Sequence, residues 1–472
     1  MTGVQCGIHG RILRRALAAS MAALFAGAGS AAAETGAPFR LTGAIGAPEW
    51  LTLGGSYRLR YETLDGRFRA AEAGSDQILV ERLLLAARIR MGALYAGGEL
   101  EDSRQQLADH GTHLGTDSVD AFEPLQFYLG YRARDVFAPG DELDLMTGRM
   151  TIDEGSRRLV ARNRFRNTSN GFTGLRATWR GAGGVLVDAF FVLPVNRAPS
   201  DFASLVDNAV RLDAETSRTR FWGLFVAQPE LIGRATGEIY LYGFHDEDRP
   251  QFHVADRDLY TPGMRLVAKP EAGRWDYELE AAMQFGTSRA TRSPGDLRDL
   301  AHLAGFVHAS LGYTWASPWS PRLSLDYDYA SGDAHPGDGV DNRFDTLYGA
   351  RSFDYGPTGI YGPFVRSNID TPGLRIEFKP EKRLDVMVGY RLVWLASSRD
   401  SWTTAKLTDP SGAAGSYLGE QIEARLRYAL SGNVELEAGG AFLARGTFQR
   451  SVAGAPDSPN TSYAYTAATL SF

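Results

Sequence analysis

The sequence predicts an all-β chain, an antiparallel transmembrane β-barrel of about 18 strands, and three observations predict it. Segment after segment alternates apolar and polar residues with a period of two, as a strand does when one face meets apolar surroundings and the other water. The connectors between these segments are short and long by turns, a rhythm that a soluble sandwich has no reason to keep. The chain also ends on a strand, "SYAYTAATLSF". There Phe472, Leu470, Ala468 and Ala464 share one face, broken only by Thr466, and Ser471, Thr469 and Tyr465 share the other. An aromatic closing an apolar face suits the interfacial girdle of a barrel wall.

Taken in order, "WLTLGGSYRLRYETL" opens the pattern near 51–63, with Leu51, Leu53, Tyr57, Leu59 and Tyr61 opposite Thr52, Ser56, Arg58, Arg60 and Glu62. Strands near 78–90 and 94–103 flank the tight turn "MGA". Those near 121–133 and 143–152 follow, then 170–180 and 184–194 around "GAGG". The middle of the chain places strands near 219–228, 236–245, 260–269 and 274–286. In the last of these, Trp275, Tyr277, Leu279, Ala281, Met283 and Phe285 oppose Asp276, Glu278, Glu280 and Gln284. After 302–315 comes 320–331, which sets Leu323, Leu325, Tyr327 and Tyr329 against Arg322, Ser324, Asp326 and Asp328. The last five lie near 365–379, 384–396, 417–430, 433–446 and 461–472, with "PEKR" and "SG" as tight turns. Long connectors fall between, at 195–218, 286–301, 331–364 and 396–416. An even strand count brings both barrel ends to the periplasmic rim. Trp50, Trp179, Trp275, Trp315 and Trp394 fall near strand ends, as girdle residues do. Closure pairs every backbone group within the hydrocarbon and leaves no edge.

The first residues carry a different signal. Arg11, Arg14 and Arg15 precede an apolar run from Ala16 to Gly27, and small residues lead up to Ala33. This is the layout of a secretory signal peptide, residues 1–33, cut after Ala33. The run is well short of the roughly 20 residues a spanning helix requires. Residues 34–49 then form a short periplasmic segment, and residues 50–472 the barrel. Cleavage also removes Cys6, the only cysteine, so the mature chain has no thiol to mispair in an oxidising compartment.

Composition excludes other classes. The net charge is -6 and the mean hydropathy -0.24, which fits neither a nucleic-acid binder nor a bundle of lipid-embedded helices. Lys269, Lys379, Lys382 and Lys406 are the only lysines, so nearly all 50 basic residues are arginine, the side chain that grips carboxylates bidentately. Inward parity places Arg58, Arg60, Arg82, Arg88, Arg90, Arg176, Arg180, Arg375, Arg391, Arg425 and Arg427 towards the lumen. Strands 78–90 and 170–180 add basic charge without acids on their own inward faces, whereas 274–286 and 320–331 are acidic. The expected lumen therefore has a positive wall and a negative one, able to hold an anionic solute without trapping it.

No enzyme is predicted. A GxSxG motif is absent, and His308 and Ser310 share a strand face about 7 Å apart, too far for a nucleophile and its base. Cofactors are not expected. His110 and His113 in "DHGTH" read as solvated loop histidines. Asp333, Asp338 and Asp341 in "SGDAHPGDGVDN" offer a Ca²⁺ loop only weakly, for want of EF-hand spacing.

The stretch "MTGRMTIDEGSRRLVARNRFRNTSNGFTGLRATW" resembles the strand–loop–strand signature of the alginate export family. "RLSLDYDYASGD", "NRFDTLYGARSFDYG" and "GEQIEARLRYALSGNVELEAGGAFLARGTF" resemble its C-terminal half. The resemblance runs from Trp50 to Phe472. It implies an 18-stranded, monomeric outer-membrane barrel whose arginine-rich lumen passes a polyuronate or a related anion. It also makes Arg149, Arg158, Arg176, Arg375 and Arg425 pore candidates, with Asp188 as their acidic counterpart. Secreting members of the family carry a plug-like loop at the periplasmic turn before the penultimate strand. Here that turn is only Ser431-Gly432, which points instead to small anions, sugar acids or aromatic acids. The expected partners are the outer-membrane lipid bilayer, the assembly machinery that recognises a terminal aromatic, and an anionic polysaccharide or small anion. A non-conducting scaffold or adhesin is the alternative, and loops 104–118 and 331–364 are long enough to fold inward.

Overall fold

The computed structural model describes residues 38–472 except 110, 250–252 and 459. The expected signal peptide and the start of the following segment lie outside the described residues, as does His110. The strands are β1 (Leu51–Asp65), β2 (Ser75–Met91), β3 (Leu94–Gln106), β4 (Asp120–Arg134), β5 (Glu142–Met150), β6 (Phe172–Arg180), β7 (Leu186–Pro194), β8 (Thr219–Ile232), β9 (Ala235–Asp246) and β10 (Asp258–Ala268). They continue as β11 (Arg274–Arg289), β12 (Asp299–Thr314), β13 (Arg322–Ala330), β14 (Val340–Asp341), β15 (Ile369–Glu381), β16 (Leu384–Trp394), β17 (Tyr417–Ala429), β18 (Val434–Arg445) and β19 (Asn460–Ser471). β14 is a two-residue strand laid parallel to β12. The other strands make a closed antiparallel wall of 18, each paired with its sequence neighbours and β1 with β19.

The alternation read from the sequence becomes the two faces of this wall. Along β1, Tyr57 and Leu59 point outward, each 37% exposed, while Arg60 and Glu62 on the opposite face are buried. Cross-strand register carries each face round the barrel, since directly opposed residues share a face: Leu59 meets Ala468 and Arg58 meets Arg82. Trp50, Trp275 and Trp315 are outward and exposed near the short-turn end. The seam closes at that end, where the Gly55 N–H donates to the Phe472 carbonyl (2.9 Å) and the Phe472 N–H to the Gly55 carbonyl (3.0 Å). Gly55 is required there, because a Cβ would lie 2.3 Å from the Leu84 carbonyl and 2.9 Å from the Phe472 ring.

The long-loop half of the barrel is filled. Phe68 stacks on Trp402 and meets Tyr361 edge-on, and Tyr361 stacks on Tyr463. Phe172, Phe221, Phe244 and Tyr348 form a second aromatic group. Each such buried aromatic contributes up to about 3 kcal/mol through burial, so this packing holds the loops inside. The fifteenth element starts at Ile369 rather than near 365, because residues 365–368 belong to one of these inward loops.

Candidate functional site

The connectors that fold into the lumen include residues 151–171 between β5 and β6 and residues 331–368 between β13 and β15. Of the two loops expected to fold inward, 331–364 lies within the second of these. The other, 104–118, packs on segment 151–171, its Thr116 and Ser118 carbonyls accepting from Thr168 Oγ1 (2.8 Å) and Asn167 Nδ2 (2.9 Å). Segment 151–171 itself carried no such expectation. Segment 151–171 is held by arginines that donate to its backbone. Arg58 donates to the carbonyls of Arg164 (2.8 Å) and Arg166 (2.9 Å), and Arg82 to that of Arg166 (3.1 Å). Arg60 pairs with Glu62 (2.8 Å), donates to the Phe165 carbonyl and stacks 4.4 Å from the Phe165 ring. Segment 331–368 is anchored by the Ile360 N–H to Glu62 (3.0 Å) and by the Tyr361 hydroxyl to Gln421 (2.7 Å).

The two segments are clasped to each other. The Tyr348 N–H donates to the Leu159 carbonyl (3.0 Å) and the Ala350 N–H to the Arg157 carbonyl (2.9 Å). Arg158 grips Asp354 with two hydrogen bonds (3.0 and 3.1 Å) and reaches the wall at Glu280 (2.8 Å) and Glu278. Arg366 adds a second guanidinium to Asp354. Burial alone would raise the Asp354 carboxyl, but Arg158 and Arg366 outweigh it and hold it well below the usual carboxylate range.

Beneath this clasp, towards the short turns, lies a cavity of about 620 Å³. Arg58, Arg60, Arg82, Arg157, Arg164, Arg425 and Arg427 line it, with Glu423, Glu435, Glu437 and Tyr465. Arg427 is neutralised by Glu437 (2.8 Å) and Glu435 (3.2 Å). Among the described residues, Arg58, Arg82, Arg157 and Arg425 have no carboxylate at ion-pair distance.

The remaining candidates divide by what they meet. Arg149 is buried and bound to Glu123 and to Glu215 (2.8 Å), away from this cavity. Arg176 lies between Asp188 (3.0 Å) and Glu154 (2.5 Å). Arg375 donates to the Phe353 carbonyl (2.8 Å), and Arg391 to Thr371 (3.2 Å) and the Asp354 carbonyl, so both brace segment 331–368. Arg88 lies 4.3 Å from the Tyr95 ring, while Arg90 and Arg180 are exposed at the short-turn rim. The two expected charged walls are therefore not separate. Asp188 reaches Arg176 from the next strand, Arg158 reaches Glu278 and Glu280 from a loop, and Arg322 reaches Asp276 (2.6 Å) across β12. Faces taken strand by strand could not show these neighbours.

Asp333, Asp338 and Asp341 serve their own loop: they accept from the N–H groups of His335 (3.1 Å), Val340 (2.9 Å) and Arg343 (3.0 Å). His308 is buried against Asp328 (2.8 Å), and His113 lies 3.5 Å from Glu72. Sequence reasoning missed Arg157, Arg164, Phe165, Asp354 and Arg366. The clustered arginine and aromatic residues of "RNRFRN" and "ARSFDYG" were the available signal, since solvated connectors seldom hold buried arginine.

A closed wall with an apolar outer face, polar inner face and inward loops defines an outer-membrane channel of the porin type. The chain belongs to the alginate export family, whose model, described as "Alginate export", matches residues 49–459. None of the curated proteins matches it. Among solved structures it is similar to a BenF-like porin from Pseudomonas fluorescens Pf-5, with 13% identity, TM-score 0.54 and coverage of 90% of this chain and 99% of that one. Similar too are Pseudomonas aeruginosa OccK2 (OpdF), at 14%, 0.52, 89% and 98%, and OpdK of the same organism with vanillate, at 13%, 0.52, 89% and 99%. At these identities the likeness concerns the fold alone.

Proposed function

We propose that the chain is a monomeric outer-membrane channel for carboxylate-bearing solutes, uronate oligomers or small organic acids, recognised by arginine in the lumen. The observation that carries this reading is the cavity beneath the clasp, where Arg58, Arg82, Arg157 and Arg425 make no ion pair. A carboxylate entering there takes bidentate donors from Arg157 and Arg425, while Arg58 and Arg82, already donating to the Arg164 and Arg166 carbonyls, add positive field that low-dielectric walls focus. Glu423, Glu435 and Glu437 on the same cavity keep it from binding too tightly. The net charge of -6 does not oppose this, because loop acids on the outer surface are screened beyond about 8 Å. Complexes of OccK2 with glucuronate and of OpdK with vanillate show porins of this fold holding such acids. Export to the outer membrane would follow cleavage after Ala33, with Phe472 read by the assembly machinery.

Reversal potentials in a planar bilayer under a KCl gradient test the reading. The barrel is expected to prefer anions, to be blocked by glucuronate or uronate oligomers, and to lose or reverse the preference in the Arg157→Glu/Arg425→Glu double variant. A cation-selective pore that uronates neither block nor bind overturns it. The packed long-loop half favours a second reading, a shut scaffold, which the absence of any conductance at all would support.

A further inference from the structure

We propose that the chain binds a single Ca²⁺ ion between β4 and the connector 195–218, through the carboxylates of Asp120, Glu123 and Asp213. One ligand oxygen from each lies within 4.8 Å of the others, inside the span of about 5 Å that opposed oxygens take around calcium. A cluster of acids often needs no ion, but this one contains a side chain that little else accounts for. Asp120 is fully buried, 0% exposed, and neither of its carboxylate oxygens has a hydrogen-bond partner among the described residues. Burying an unpartnered carboxylate is costly unless a cation meets it.

Local cations do not fill that role. Arg149 binds the Glu123 carboxylate and Glu215, not Asp120. Arg197 is near enough to be felt by Asp120 and Asp213, but its Nη1 donates to the Ser169 carbonyl (3.2 Å) and Asn170 Oδ1 (2.9 Å), and it forms no ion pair with either carboxylate among the described residues. Glu101, facing the group from β3, adds a fourth acid and is engaged by Ser103 and Ser169. Oxygen-only ligands select a hard cation over zinc or copper.

The backbone arranges this. Residues 120 and 123 would lie on opposite faces of a regular strand, yet register shifts between β3 and β4 bring both inward, Asp120 opposite Ser103 and Glu123 opposite Glu101. Phe122 between them takes φ 58 and points outward. The Asp213 N–H donates to Glu123 (3.0 Å), fastening the connector at this point. The ion would therefore clip a long loop to the barrel wall.

The test uses the purified barrel in detergent, stripped with a chelator and then given CaCl2, MgCl2 or NaCl, read by titration calorimetry and thermal unfolding. One Ca²⁺ per chain is expected to bind and to raise the unfolding midpoint by a few degrees, with Mg²⁺ much weaker. Asp120→Asn and Asp213→Asn should each abolish both effects, whereas Asp341→Asn should keep them. No calcium binding by the stripped native barrel overturns the proposal. So does undiminished binding in the Asp213→Asn variant, whether or not Asp120→Asn folds.

Discussion

Arg158 shows how much one side chain carries in this lumen. It is buried on a loop and meets Asp354, Glu278 and Glu280 at once. Replacing it by Met leaves three carboxylates without their shared cation, and such losses cost about 3–5 kcal/mol. The expected outcome of Arg158→Met is a loosened clasp, seen as higher and noisier single-channel conductance and as new protease cleavage within 343–365, with the wall intact. The pH dependence has a definite sign. The folded Asp354 carboxyl titrates below its unfolded value, so its stabilisation is present above about pH 4 and is lost only as pH falls through the lower folded value. The native clasp should therefore stay shut at pH 5 and open under stronger acid, and conductance recorded against pH checks this.

Between elements, the decisive contact is backbone on backbone. Gly349 lies where the two inward segments meet, and a Cβ there would stand 1.7 Å from the Arg158 carbonyl oxygen and 2.5 Å from its carbon. Neither segment can yield by rotating a side chain. Gly349→Ala should separate the segments at a cost of about 1–3 kcal/mol, and hydrogen exchange at Leu159–Ala161 and Tyr348–Ala350 should quicken while the strands stay protected. Unchanged exchange in both segments would show that the clasp does not depend on this approach.

For the whole molecule, closure is what matters. Each of the 18 wall strands has two partners, β1 and β19 included, so the wall leaves no edge to template misassembly. The folded barrel should resist SDS at room temperature, migrate faster than the boiled chain and give a β-dominated circular dichroism spectrum. The seam is the sensitive place. Gly55→Val puts bulk against both the Leu84 carbonyl and the Phe472 ring, and should lower the heat-modifiable fraction more than the same change at Gly183, where nothing lies within 4 Å.

The wall was legible in the sequence because a barrel strand records its surroundings residue by residue. Leu279 and Met283 face outward and Glu278 and Glu280 inward with no help from distant residues, and "SG" at 431 can only be a tight turn. Arg58, Arg60 and Arg82, which line the inner cavity, follow the same alternation, whereas Arg90 of β2 ends exposed at the short-turn rim. Connector conformation has no such period. Nothing in "RNRFRN" says that its carbonyls meet Arg58 and Arg82 about a hundred residues away in the chain. Pairing is a matter of distance in space, so the order of charges along one strand left Arg176 looking free of acid until Asp188 and Glu154 were placed beside it. The bulge that turns Asp120 and Glu123 to one side breaks the very alternation from which faces are read. Local pattern therefore determined strand, face and turn, while tertiary packing decided which charges remain unpaired, because a charge's energy depends on every neighbour within a few ångströms.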